Sequence, residues 1–84
     1  MIANANELLN NLDKLHTTPM GVERIRKNMS IDTDDVVEWC RRHIILPQAS
    51  IKRKGKNLYI EVNGCIITVN MYSYTIITAH KLKE

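Results

Sequence analysis

The chain reads as an α+β domain: three N-terminal helices packed on one face of a C-terminal four-stranded antiparallel meander. Three observations predict it. Apolar residues recur with a helical period through the first half of the chain, the period changes to two from residue 49, and Asn63-Gly64 stands between two alternating apolar runs. At 84 residues the chain has room for a single domain, residues 1–84. Its 44% apolar and 25% charged composition is that of a globular protein. Aromatics are Trp39 and three tyrosines with no Phe, so the core must be aliphatic.

Leu8, Leu12 and Leu15 recur at i, i+4 and i+7, which predicts an amphipathic helix over residues 4–15 that stops near His16. Thr18 then offers a hydroxyl to orphan backbone N–H groups. Pro19 occupies the first turn, where its missing N–H costs nothing. A second helix over residues 19–28 presents Val22, Ile25 and Met29 to the core. Gly21 inside its first turn costs ~1 kcal/mol relative to Ala, and marks a close approach of another backbone or a ligand. Asp32 is expected to cap a third helix, with Val36, Cys40 and Ile44 inward and Pro47 as its end.

Asn63-Gly64 is a two-residue hairpin turn, since both positions of a type I′ turn need positive φ. It pairs Val62 with Cys65, Ile60 with Ile67 and Leu58 with Val69, six apolar residues on one face. Upstream, a turn at Gly55-Lys56 sets Ile51 against Ile60 and makes residues 50–54 an edge strand. The last strand, residues 74–80, follows a three-residue turn at Met71-Tyr72-Ser73. That register sends Thr75, Ile77 and Ala79 inward and Tyr74, Ile76, Thr78 and His80 outward; a two- or four-residue turn reverses the faces.

The net charge of +3 is uneven: residues 1–42 hold six Lys/Arg against seven Asp/Glu, and residues 43–84 hold six against two. A basic C-terminal half attracts phosphates or an acidic partner. The outer sheet face then carries Lys52, Lys54, Tyr59, Glu61, Thr68, Asn70, Tyr74, Thr78 and His80. These are parts for handling a phosphodiester. Cations neutralise phosphate, imidazole exchanges protons and tyrosine rings stack bases. The competing reading is an ordinary exposed sheet face, where Thr, Tyr and Lys suit strands.

His16 and His80, with Thr78, are therefore the candidate catalytic residues. Arg24, Lys52, Lys54, Lys56, Tyr59 and Tyr74 are the candidate nucleic-acid or phosphate contacts. Lys81 and Lys83 extend the polarity. Cys40 and Cys65 sit among apolar neighbours and form no CxxC or CxxH group, so neither a metal site nor a cofactor is expected. Ser30, Ser50 and Ser73 have no nearby acid–His pairing that marks a nucleophile. There is no bilayer-length apolar run and no secretory pattern, so a cytoplasmic protein without a membrane partner is expected.

Three stretches carry a resemblance: LDKLHTTPMGVERIRKNMSID (12–32), KRKGKNLYIEVNGCIITVN (52–70) and YSYTIITAHK (72–81). Together they resemble a family of short bacterial and phage proteins classed as a domain of unknown function, over nearly the whole chain. Its recurrent elements stand here as His16-Thr17-Thr18, Gly21, Arg24-Ile25, Asn28, the Trp39 helix, Lys54-Gly55-Lys56-Asn57, Tyr59 and Thr75 to Lys81. The resemblance implies no established activity. The order of elements is also similar to the barnase/colicin/RelE-like ribonuclease fold, which implies a metal-independent endoribonuclease or RNA-binding toxin. The partners to expect are then RNA and an antitoxin. A non-catalytic interaction module or inhibitor from a phage or mobile element, docking on another protein, is the alternative. A homodimer through exposed Ile66, Ile76 and Tyr74 is a third reading.

Overall fold

A computed structural model of the protein describes residues 4–82; Lys83 lies outside them. The described chain is α+β. Helices α1 (Asn4–Asn10), α2 (Pro19–Met29) and α3 (Val36–Ile44) precede strands β1 (Ser50–Lys54), β2 (Asn57–Val62), β3 (Cys65–Asn70) and β4 (Ile76–Lys81). The strands form one antiparallel sheet in the order β1-β2-β3-β4.

The first helix ends sooner than its leucine spacing implies. Asn11 leaves helical φ/ψ (−126°, 28°) and its side-chain amide donates to the Glu7 carbonyl at 2.7 Å, satisfying a helix-end acceptor. A 3₁₀ turn, Leu12–Lys14, follows, and Leu15 is extended. Helix α2 begins as expected: Pro19 sits in its first turn and Thr18 Oγ1 accepts from the Gly21 N–H at 3.0 Å. The third cap is displaced from Asp32 to Asp35, whose carboxylate accepts from the Glu38 N–H at 3.1 Å. Thr33 Oγ1 takes the Asp35 N–H at 3.0 Å and holds the preceding residues in a turn. That helix stops at Ile44, ahead of Pro47.

The hairpin reading holds residue for residue. Asn63 and Gly64 both have positive φ (51° and 78°), and the pairs Val62–Cys65, Ile60–Ile67 and Leu58–Val69 form. Ile51 opposes Ile60 across the Gly55-Lys56 turn. The six hairpin residues join Leu8, Leu15, Ile25, Val36, Cys40 and Ile44 in one buried cluster, with Ile51 half-buried against it.

The last strand needs a correction. Asn70 N–H donates to the Thr75 carbonyl at 2.9 Å, so the β3–β4 loop holds four residues, not three. That turns Ile76 inward against Val69, where it is buried. A bulge then lets Ile77 slip past the ladder, and Thr78–Thr68, Ala79–Ile67 and His80–Ile66 pair beyond it. Two opposite shifts thus leave Thr78 and His80 outward and Ala79 inward, as expected, while Thr75, expected inward, turns its hydroxyl to His16, Ile76 turns inward and Ile77 sits half-buried in the bulge. An Ile76 facing the core cannot join the proposed dimer surface.

The helices are not simply stacked on the Leu58–Val69 face. Helix α2 runs against β4, and Asn28 Nδ2 donates to Thr78 Oγ1 at 3.3 Å, on the side of the strand opposite Ala79. In the middle of the outer face Thr68 is buried.

Candidate functional site

Antiparallel register brings the β1–β2 turn and the β3–β4 loop to the same end of the sheet. Asn57 lies beside Asn70, and Met71 N–H donates to the Lys56 carbonyl at 2.9 Å. The extended segment after Leu15 closes this end. His16 N–H donates to the Tyr74 carbonyl at 3.2 Å and Ile76 N–H donates to the His16 carbonyl at 2.7 Å, a one-residue parallel bridge to the β4 edge. Thr17 Oγ1 adds a bond to the Ile76 carbonyl at 2.8 Å. Backbone pairing across 59 positions of sequence therefore places His16.

His16 is held at both ring nitrogens. A carbonyl can only accept, so the 2.9 Å contact from Nδ1 to the Lys14 carbonyl puts a proton on Nδ1. In the neutral ring Nε2 is then the acceptor, and it lies 3.0 Å from Thr75 Oγ1. Thr75 Oγ1 is in turn 2.7 Å from Ser73 Oγ. The loop that carries both hydroxyls is organised by Asn70: its Oδ1 accepts the Tyr72 and Ser73 N–H groups at 2.9 and 3.0 Å, and lies 3.3 Å from Ser73 Oγ. Tyr74 closes the loop in the left-handed region (φ 58°), a conformation that costs a residue with Cβ roughly 1–2 kcal/mol. Lys14 Nζ stands 6.0 Å from the Tyr74 ring centre.

Of the residues singled out from sequence, His16 and Tyr74 lie at this end beside β4, and Lys54 and Lys56 lie at the same end on the β1–β2 turn, across the width of the sheet. Tyr59 adjoins it, its hydroxyl 3.4 Å from the Asn57 amide, and Lys52 pairs with Tyr59 one row further in. The Lys52, Lys54 and Lys56 side chains are exposed, and among the described residues none of the three is in a salt bridge. Three residues lie elsewhere. His80 is exposed five residues beyond Thr75 along β4, roughly 16 Å of extended chain. Thr78 is engaged by Asn28, and Arg24 is exposed on α2 with Met20, Glu23 and Lys27 around a shallow groove.

Sequence reasoning missed Ser73, Thr75 and Lys14 as members of the site, and set Ser73 aside for lack of a nearby histidine. The histidine reaches it through Thr75. Only the recurrence of Thr75 in the family pattern signalled this. Gly21 also finds its reason: a Cβ there would stand 2.1 Å from Thr17 Oγ1. The close approach is that of a threonine side chain that anchors the His16 segment.

A second polar cluster, on α3, is consumed by its own contacts. Trp39 stacks on His43 at 3.9 Å between ring centres, His43 Nδ1 meets the Trp39 carbonyl at 2.8 Å, and Glu38 binds both Arg41 and Arg42. The cysteines are free and buried, and burial pushes the Cys40 thiol up to about 12. No helix among the described residues is long and apolar enough to cross a membrane.

Comparison with curated proteins and with solved structures yields no match. Residues 9–80 match the sequence model of a family described as a protein of unknown function, DUF3781, a span that includes every residue of the sheet-end site. The chain belongs to the DUF3781 family.

Proposed function

We propose that the protein binds single-stranded RNA at the sheet end where the β1–β2 turn, the β3–β4 loop and the His16 segment meet. The observation that carries this reading is one polar sheet end, with exposed Lys54 and Lys56 and half-buried Tyr59 at the β1–β2 turn, and His16 and Tyr74 across the sheet beside β4, roughly 15–20 Å away by strand spacing. The lysines neutralise backbone phosphates, with Lys52 extending the track along β1. Half-buried Tyr59, on the outer face beside Lys52, offers a stacking surface worth ~1–3 kcal/mol per base, while Tyr74 packs partly against the core. Asn57 and Asn70 supply amides beside them. Binding is better supported than cleavage, because His80 lies too far along β4 to act with His16 on one phosphate.

One observation favours a second reading, metal-independent cleavage of the bound strand. The Lys14 carbonyl keeps Nε2 of neutral His16 as a proton acceptor, and a 2′-hydroxyl would reach it through, or by displacing, the Thr75 hydroxyl 3.0 Å away. Fluorescence polarisation of a labelled mixed-sequence oligoribonucleotide tests both. Three lysine–phosphate contacts give a slope of about −2 in log affinity against log salt, at roughly 0.7 per contact. Lys54→Ala with Lys56→Ala reduces that slope to about −0.7 by the same arithmetic. An affinity indifferent to salt and to the double substitution refutes RNA binding. Shortened oligoribonucleotide that persists in His16→Ala refutes a role for His16 in cleavage.

A further inference from the structure

The hydrogen-bond chain at His16 does more than a phosphate site requires. Nδ1–H is committed to the Lys14 carbonyl, so the neutral ring accepts the Thr75 hydroxyl proton at Nε2. With that proton committed, Thr75 Oγ1 is left as an acceptor, and Ser73 Oγ–H reaches it at 2.7 Å. The alternative acceptor for Ser73, Asn70 Oδ1, is longer at 3.3 Å and already takes two backbone N–H groups. With the ring neutral, the chain runs from Ser73 through Thr75 to His16; with the ring protonated it reverses, and Ser73 Oγ–H then donates to Asn70 Oδ1. A base held in one tautomer by a third group, with hydroxyls in line, is the arrangement that activates a nucleophile. Ser73 is exposed at the outer end of this chain, next to the left-handed Tyr74.

We propose that Ser73 is a nucleophilic hydroxyl, activated by His16 through Thr75, that accepts an acyl group from an uncharged activated ester. The relay provides one proton acceptor that becomes one donor, which is what acyl transfer from such an ester consumes. Ser73 Oγ bonds to the carbonyl carbon while its proton passes to Thr75 Oγ1 and the Thr75 proton passes to His16 Nε2. The ester C–O bond then breaks, and the leaving alkoxide takes its proton from the imidazolium. Water repeats the sequence, giving its proton to His16 as it attacks the acyl carbon. The carboxylic acid departs and Ser73 regains its hydrogen. Thr75 is a positioning residue and proton carrier; it does not touch the acyl group. This inference is independent of RNA binding.

A fluorophosphonate probe reads the nucleophile directly, since Ser73 Oγ would form an O–P bond as the P–F bond breaks and fluoride leaves. Intact-mass measurement on the whole chain, followed by peptide mapping, should find a single adduct on Ser73, lost in Ser73→Ala. His16→Gln and Thr75→Val should slow labelling at least ~100-fold, the lower range for loss of a general base. Thr75→Ser, which keeps the hydroxyl, should restore most of the rate, an outcome that a merely structural Thr75 would not produce. The wild-type chain should also hydrolyse p-nitrophenyl acetate faster than Ser73→Ala does. No adduct, labelling spread equally over Ser30, Ser50 and Ser73, or Ser73 labelling at the same rate in Thr75→Val and Thr75→Ser would overturn the proposal.

Discussion

Replacing Gly21 with alanine tests how the His16 segment is anchored, because ordinary helix propensity and the structure predict opposite signs. Alanine in a helix is worth about 1 kcal/mol over glycine. Here the added Cβ would stand 2.1 Å from Thr17 Oγ1, which must swing away and surrender its 2.8 Å bond to the Ile76 carbonyl. Leaving that part-buried carbonyl without its partner costs about 1–3 kcal/mol. Gly21→Ala should therefore be destabilising by up to about 2 kcal/mol once the propensity gain is deducted. Thr17→Ala removes the obstructing hydroxyl and loses the same bond by itself. In that background the nearest remaining atoms to the new Cβ include Thr17 Cβ and Thr18 Oγ1, each at 3.4 Å, a tolerable contact. Gly21→Ala should then be neutral or stabilising, and the double-mutant cycle should return a coupling of about 1–3 kcal/mol. Urea unfolding followed by Trp39 fluorescence supplies the four free energies. Equal effects of Gly21→Ala in the two backgrounds would refute the reasoning.

Other consequences follow from local geometry. Gly64 has φ +78° and nothing lies within 4 Å of where a Cβ would stand, so Gly64→Ala should cost roughly 1–2 kcal/mol from backbone strain alone. Gly64→Asn should recover part of it, since asparagine tolerates the left-handed region; urea midpoints compare the two. The Cys40 thiol, pushed by burial from 9.0 up to about 12, stays protonated while the unfolded chain ionises. Its contribution to stability is thus complete below pH 9 and is lost as pH rises from 9 to 12, at up to about 1.4 kcal/mol per unit. A Cys40→Ala chain should show a shallower decline over that range, and parallel curves would contradict the assignment. The Arg26–Asp34 pair is 2.8 Å long but its side chains are 41% and 90% exposed. Asp34→Ala should shift stability by less than about 1 kcal/mol, and a larger loss in the same urea assay would show that screening is weaker than exposure implies.

Much of the fold was legible because its signals are local. The six apolar residues around Asn63-Gly64 define a turn, a register and a buried face together, and no tertiary contact overrides them. Thr18-Pro19 likewise marked the start of α2. The displaced ends have local competitors that spacing does not show: the Asn11 amide on the Glu7 carbonyl, and the Thr33 hydroxyl on the Asp35 N–H. The β4 register resisted reading because two irregularities, a four-residue loop and the Ile77 bulge, offset each other. The site was half legible. Composition pointed to Lys54, Lys56, Tyr59 and Tyr74, but the partner of His16 is 59 residues away and is brought there by one strand bridge. No periodicity encodes such a contact, so sequence alone paired His16 with His80 and placed Thr75 on the buried side, and Ser73 did not look like a companion at all.

Backbone amide shifts recorded during titration with a short single-stranded oligoribonucleotide test the central claim most directly. The account predicts perturbations confined to residues 14–16, 54–59 and 70–75, growing with added RNA and fading as salt rises. Shifts centred on Met20–Lys27 of α2 or on Trp39 and His43 of α3, or none anywhere, would contradict it.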